Sequence, residues 1–253
     1  MFYAPARCLV FCAFAAVVLT GCVRGPMTFH AGNRTPDFAP GCTNGGAARI
    51  YVVQGHPNKL VDGAGWVFGI PRKVMLWNSH VDSHSVQPET LAEVATYAQI
   101  NHLDGLCIRA NQYAPLDEWR RLRENERVSP GWKYTFGTLS VVGYALLPGR
   151  LFGGDEYNPY THSVYVHSDV PALAVEAAAY AADLQDRDLP GTYAAVNAIP
   201  IVSIWRETIS TQNTLEYMAT HGTRDDHMEA LTILYPNYGA SVGGAFGTLV
   251  GAT

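Results

Sequence analysis

Between Pro171 and Asp186 the chain reads PALAVEAAAYAADLQD, an alanine-rich run whose single proline stands at its start. Alanine is the strongest helix former, and proline is tolerated in the first turn of a helix. The run is therefore expected to form one long helix over about 172–186. Ser168, Asp169 and Val170 precede it and supply a capping side chain ahead of the early proline. Leu173, Ala177, Tyr180 and Leu184 recur at helical spacing and form a stripe directed at a core. Glu176 and Asp183, seven apart, share another face, and periodicity alone turns that face to solvent.

The rest of the chain supplies partners for such a helix. Arg49–Gln54, Gly65–Ile70, Lys73–Trp77, Leu106–Ala110 and Ser163–His167 are short β-rich runs, with Pro71 as a break. Pro88-Glu89-Thr90 opens an amphipathic helix that Asp104-Gly105 closes. Asp117–Arg127 is a charged helix expected to show most of its surface to water, with Trp119 and Leu122 as its apolar contact. Tyr134–Leu147 is the most apolar stretch after the N-terminus and reads as buried helix or strand, too short to span a bilayer. Further helical patterns cover 192–198, 201–210, 214–221 and 225–234, and the Gly-rich tail 235–253 is expected to wrap the core. Residues 49–253 are thus expected to form a single α+β domain, a small sheet packed with several helices.

The N-terminus reads as an address. Arg7 precedes an apolar stretch from Cys8 to Leu19, and Leu19-Thr20-Gly21-Cys22 resembles a bacterial lipobox. Residues 1–21 are expected to be a cleaved lipoprotein signal, and lipid on Cys22 would hold the protein at a membrane surface. Val23 lacks the aspartate that marks inner-membrane retention, which favours the outer membrane of a cell envelope. Residues 22–48, rich in Gly, Pro, Asn and Thr, read as a flexible tether. Cleavage leaves Cys42 and Cys107 as thiols. They could pair in an oxidising envelope, but one loop thiol and one buried small hydrophobe is the preferred reading.

Composition excludes two classes. With 48% hydrophobic and 15% charged residues the chain is not disordered. A net charge of −5 without any basic run argues against a nucleic-acid partner.

Motifs narrow the chemistry less. There is no Walker loop, no G-x-G-x-x-G and no S-x-x-K. Gly153-Gly154-Asp155 reads as a tight turn. His80-Val81-Asp82-Ser83-His84 would place three polar groups on one face of a strand, a possible metal or acid/base cluster, but an exposed loop with solvated histidines is preferred. His162 and His167 would face opposite ways on a strand, and His56, His221 and His227 read as surface residues. Tyr157, Tyr160, Tyr165 and Tyr180 either line a groove beside the helix or fill the core near the surface.

Three segments carry a family resemblance: GRLFGGDEYNPYTHSVYVHSDVPALAVEAAAYAAD, GTYAAVNAIPIVSIWRET and LYPNYGASVGG. They resemble uncharacterised bacterial lipoproteins with a domain of the gluzincin type, zinc metallopeptidases that carry H-E-x-x-H on a helix. The resemblance spans roughly residues 50–245 and implies a zincin-like second half. It matches Glu176 to the general base and Glu207, on the following helix, to the third metal ligand. The departure lies at Val175 and Ala179, which stand where both zinc imidazoles belong and cannot donate an electron pair. The resemblance therefore implies a degenerate site, with Glu176 and Glu207 as vestiges and no cofactor. The expected function is a membrane-anchored lipoprotein whose non-catalytic domain binds an envelope protein or peptide, or acts as a scaffold. The alternative is a metal-dependent hydrolase with a rebuilt zinc site and Glu176 as base.

Overall fold

A computed structural model describes residues 50–251 apart from Pro57, Pro148 and Gly153. The expected leader 1–21, Cys22, the tether 22–48 and Cys42 lie outside the described residues.

Strands β1 (Tyr51–Gln54), β2 (Cys107–Ala110), β3 (Glu156–Asn158) and β4 (Ser163–Val166) form one sheet in the order β1-β2-β4-β3. β1, β2 and β4 run parallel, with Tyr51 opposite Cys107 and Cys107 opposite Ser163. β3 closes the edge antiparallel to β4. Parallel strands need long crossovers whose helices cover the sheet. Accordingly, every residue of β2 and β4 is buried. Cys107, fully buried in β2, is also disulfide-bonded, which corrects the expectation of a free buried thiol.

The first crossover holds α1 (Lys59–Phe68), α2 (Ile70–Met75) and α3 (Pro88–Ile100). The expected strands 65–70 and 73–77 are therefore helical. The cause is local. Asn58 Oδ1 accepts from the Leu60 and Val61 amides, and Asp62 accepts from the Asn58 amide, so the chain enters a helix before the apolar run begins. Pro71 falls in the first turn of α2, where its missing donor costs nothing.

The second crossover holds α4 (Pro115–Glu124), α5 (Pro130–Trp132), a π-helical turn (Lys133–Gly137), α6 (Thr138–Leu146) and α7 (Gly149–Phe152). The apolar stretch 134–147 is thus helix. In α4, Glu118 and Arg121 are buried, against the expectation of a solvated face. Arg109 of β2 reaches Glu118 at 2.7 Å and also pairs with Asp117. Arg121 donates to the carbonyls of Gly105, Thr161 and His162 at 2.8–2.9 Å.

Four helices follow β4: α8 (Pro171–Gln185), α9 (Pro190–Val196), α10 (Pro200–His221) and α11 (Arg224–Gly251). Helix α8 is buried from Ala172 to Leu184 on every side, packed among α3, α10, α11 and the sheet. A helix apolar all round is a core helix. Its N-cap is Val170, without a side-chain cap. Asp169 instead accepts from the Gln87 amide and the Thr90 hydroxyl at the start of α3. The two patterns 201–210 and 214–221 merge into α10. The tail does not wrap: α11 continues through Pro236 and the glycines to Gly251. No described helix is long and apolar enough to cross a membrane. The architecture is α+β, a small sheet within a mostly helical domain.

Candidate functional site

Glu176 lies at the middle of α8 and is 8% exposed. The face shared by Glu176 and Asp183 does not meet solvent: α10 and α11 cover Glu176, and Tyr193 of α9 and Arg187 lie against Asp183. Thr211 of α10 donates to Glu176 Oε1 at 2.7 Å, and Asn237 of α11 donates to Oε2 at 3.1 Å. Glu207 stands one turn before Thr211 on α10, and its charge acts on Glu176. Burial, followed by that like charge, pushes the Glu176 carboxyl up to about 7. Glu207 itself pairs with Arg206, whose guanidinium sits 4.8 Å from the Tyr180 ring. Asp183 pairs with Arg187 and accepts from the Tyr193 hydroxyl at 2.6 Å. Val175 and Ala179, beside Glu176, are fully buried.

A polar chain leads away from Glu176. Asn237 Oδ1 accepts from Arg72 at 3.4 Å, Arg72 pairs with Asp82 at 3.1 Å, and the Asp82 amide donates to Ser168 Oγ at 2.9 Å. Lys73 donates to the Asp82 carbonyl at 2.9 Å. The chain ends at the carboxyl edge of the parallel strands, where open α/β sheets place their ligands. There the His84 and His167 rings lie 5.5 Å apart, and Asn111 Oδ1 is 3.2 Å from His167 Nδ1. Asp155 accepts from the amides of His167 and Ser168. His84 Nδ1, His167 Nε2 and Asp155 Oδ2 are buried with no hydrogen-bond partner among the described residues. Asp82, His84 and Asn111 all have positive φ, a conformation retained where the surrounding structure enforces it. Burial lowers the His84 imidazole and takes His167 down to about 4.

The sequence reading missed this edge. His80-Val81-Asp82-Ser83-His84 is neither a strand nor a solvated loop. His80 is exposed, while Asp82 and His84 turn inward. The signal that could have found it was a pair of polar residues following each strand end, Asn111-Gln112 after β2 and His167-Ser168 after β4. His162 points elsewhere, 2.8 Å from the Tyr157 hydroxyl. Tyr157, Tyr160, Tyr165 and Tyr180 are buried core residues. A G-x-S-x-G spacing at Gly239–Gly243 lies inside α11, so it forms no strand-to-helix nucleophile elbow.

Among the described residues, no three His, Cys, Asp or Glu side chains converge on a point able to hold a metal ion. The arrangement around Glu176 can hold and exchange a proton near neutral pH. It can also present a fixed set of hydrogen-bond donors. No family model, curated protein or solved structure matches the chain.

Proposed function

We infer that the chain is a lipoprotein of the cell envelope, anchored through lipid on Cys22 and favouring the outer membrane. Its domain is a zincin-like relative of gluzincin metallopeptidases that binds a protein or peptide and does not cleave it. The observation that carries this reading is the condition of Glu176. Both carboxylate oxygens already accept from Thr211 and Asn237, and the neighbouring positions Val175 and Ala179 are fully buried hydrocarbon. A peptidase base must be free to take a proton from metal-bound water, with imidazole nitrogen on the same helix to hold that metal. The described residues around Glu176 do not fit zinc: they offer carboxylate, hydroxyl and amide groups, with no imidazole among them.

The second reading, a hydrolase with a rebuilt metal site, draws on one observation. A carboxyl pushed up to about 7 is poised for general base work at neutral pH. Zinc content after chelator washing, followed by casein turnover with and without chelator, separates the two. The binding reading expects substoichiometric zinc and no chelator-sensitive turnover. Near one equivalent of zinc that is lost in Glu176→Gln, with turnover, replaces it by the hydrolase.

A further inference from the structure

Helices α1 and α2 are amphipathic in the inverted sense. Their inner row is Gly65, Gly69, Lys73 and Leu76, all buried and spaced three or four apart on one helical face. Gly65 lies against His84 and the Arg150 carbonyl, where an added Cβ would come within 2.5 Å of each. Lys73 donates to the carbonyls of Asp82 and Trp66. Asp62 is held at 2.7 Å by Arg150. The pair therefore docks on the domain through glycines and ions. Away from that row the helices carry Val67, Ile70, Val74, Met75 and Trp77, every one exposed, with Trp77 91% accessible, and Trp66 flanks them, half-exposed, with its ring 5.3 Å from the Lys73 ammonium. A surface helix in water ordinarily buries its apolar stripe. A contiguous exposed apolar patch marks an interaction surface, and tryptophan concentrates at membrane–water interfaces.

We propose that this face of α1–α2 lies in the interfacial layer of the bilayer that holds the lipid anchor. The inference rests on the lipoprotein reading above for its occupant. Ile50 follows Cys22 so closely that the intervening chain spans at most on the order of 100 Å, even fully extended. β1 then leads into α1, so the patch is the first exposed apolar surface of the domain along the chain from the anchor. Confinement to that radius raises the effective concentration of bilayer at the patch to the millimolar range set by short linkers, about 1 mM or more. No added cationic attraction is required, in keeping with a net charge of −5 and with Arg72 and Lys73 turned inward. Interfacial insertion then fixes which side of the domain faces away from the membrane.

The test reconstitutes the full-length protein, produced in a bacterial envelope, into phosphatidylethanolamine–phosphatidylglycerol vesicles with or without bromine on the acyl chains. Tryptophan emission reports contact, and mass spectrometry of the same sample reports acylation at Cys22. Bromine is expected to quench the wild type, and Trp66→Phe with Trp77→Phe is expected to lose most of the quenchable emission. Acylated protein that floats with the vesicles and shows equal emission with and without bromine overturns the surface assignment while leaving the anchor intact. Unacylated protein refutes the anchor. In that case quenching on simple addition of brominated vesicles still supports the surface, and its absence overturns it. Burial of Trp66 and Trp77 against a second copy or against an uncleaved leader, seen as cross-links from position 77 to protein with no bromine quenching, also overturns it.

Discussion

Glu176 holds a proton at a pH where an exposed glutamate has lost its own, and the consequence can be signed. Its folded value lies near 7, above the ordinary 4.5. Folding therefore favours the protonated form, and the residue's contribution is lost as pH rises from about 4.5 through about 7. The size is about 3 kcal/mol at 1.36 kcal/mol per pH unit of displacement. Glu176→Gln, measured by urea denaturation across that window, should gain on the wild type by about this amount toward alkaline pH; parallel profiles would refute the burial. Glu118 is the second residue with a large stake. It neutralises Arg109 at 2.7 Å and accepts from the hydroxyls of Ser163 and Tyr165, all in the core. Glu118→Ala strands a buried guanidinium and should cost about 3 kcal/mol, moderated by Asp117, read as a shift in the urea midpoint. Neither role was legible in sequence. Both carboxylates occupy positions that periodicity assigns to solvent, and only a second layer of helix or a buried arginine turns such a position into core.

At the scale of elements, α1 offers an internal control. Gly65 faces His84 Nε2 and the Arg150 carbonyl at 2.5 Å from an added Cβ, whereas a Cβ at Gly63 meets nothing within 4 Å. Gly65→Ala must displace backbone and should destabilise by about 1–3 kcal/mol. Gly63→Ala, two residues away in the same helix, should stabilise by about 0.5–1 kcal/mol through helix propensity. Thermal unfolding of the two variants gives opposite signs if α1 packs as described. The elements that were readable from sequence are those with local punctuation: Pro88 and Pro171 at helix starts, Gly105 before β2, and the SVYV run of β4. The misread elements lack it. Residues 65–77 are apolar enough for strands, and the helix there is set by Asn58, seven residues upstream of the start of the run. The tail is rich in glycine, yet α11 persists because its packing on α10 and α8 supplies what propensity does not.

Over the whole molecule, titration of the core pulls in two directions. His84, His162 and His167 are buried with imidazoles held below the usual 6.5, each chiefly by burial. Their stabilisation is complete above about 6.5 and is lost as pH falls toward the folded value, about 4 for His167. Glu176 runs the opposite way over nearly the same interval. The wild type should therefore show a shallower acid slope than its histidines alone would give. His167→Gln should flatten the slope by up to about 3 kcal/mol and Glu176→Gln should steepen it, both read from denaturation midpoints against pH. The sequence by itself determined the helix at 171–185, the α+β class, and the absence of histidine from that helix, because helix propensity, strand patterning and side-chain chemistry are properties of single residues and near neighbours. Tertiary structure alone decided that Glu176 is enclosed, that His84 meets His167 at the sheet edge, and that α1–α2 turn their apolar side outward. Those outcomes depend on which distant segment covers a given face, and a linear pattern of residues does not record its own neighbours in space.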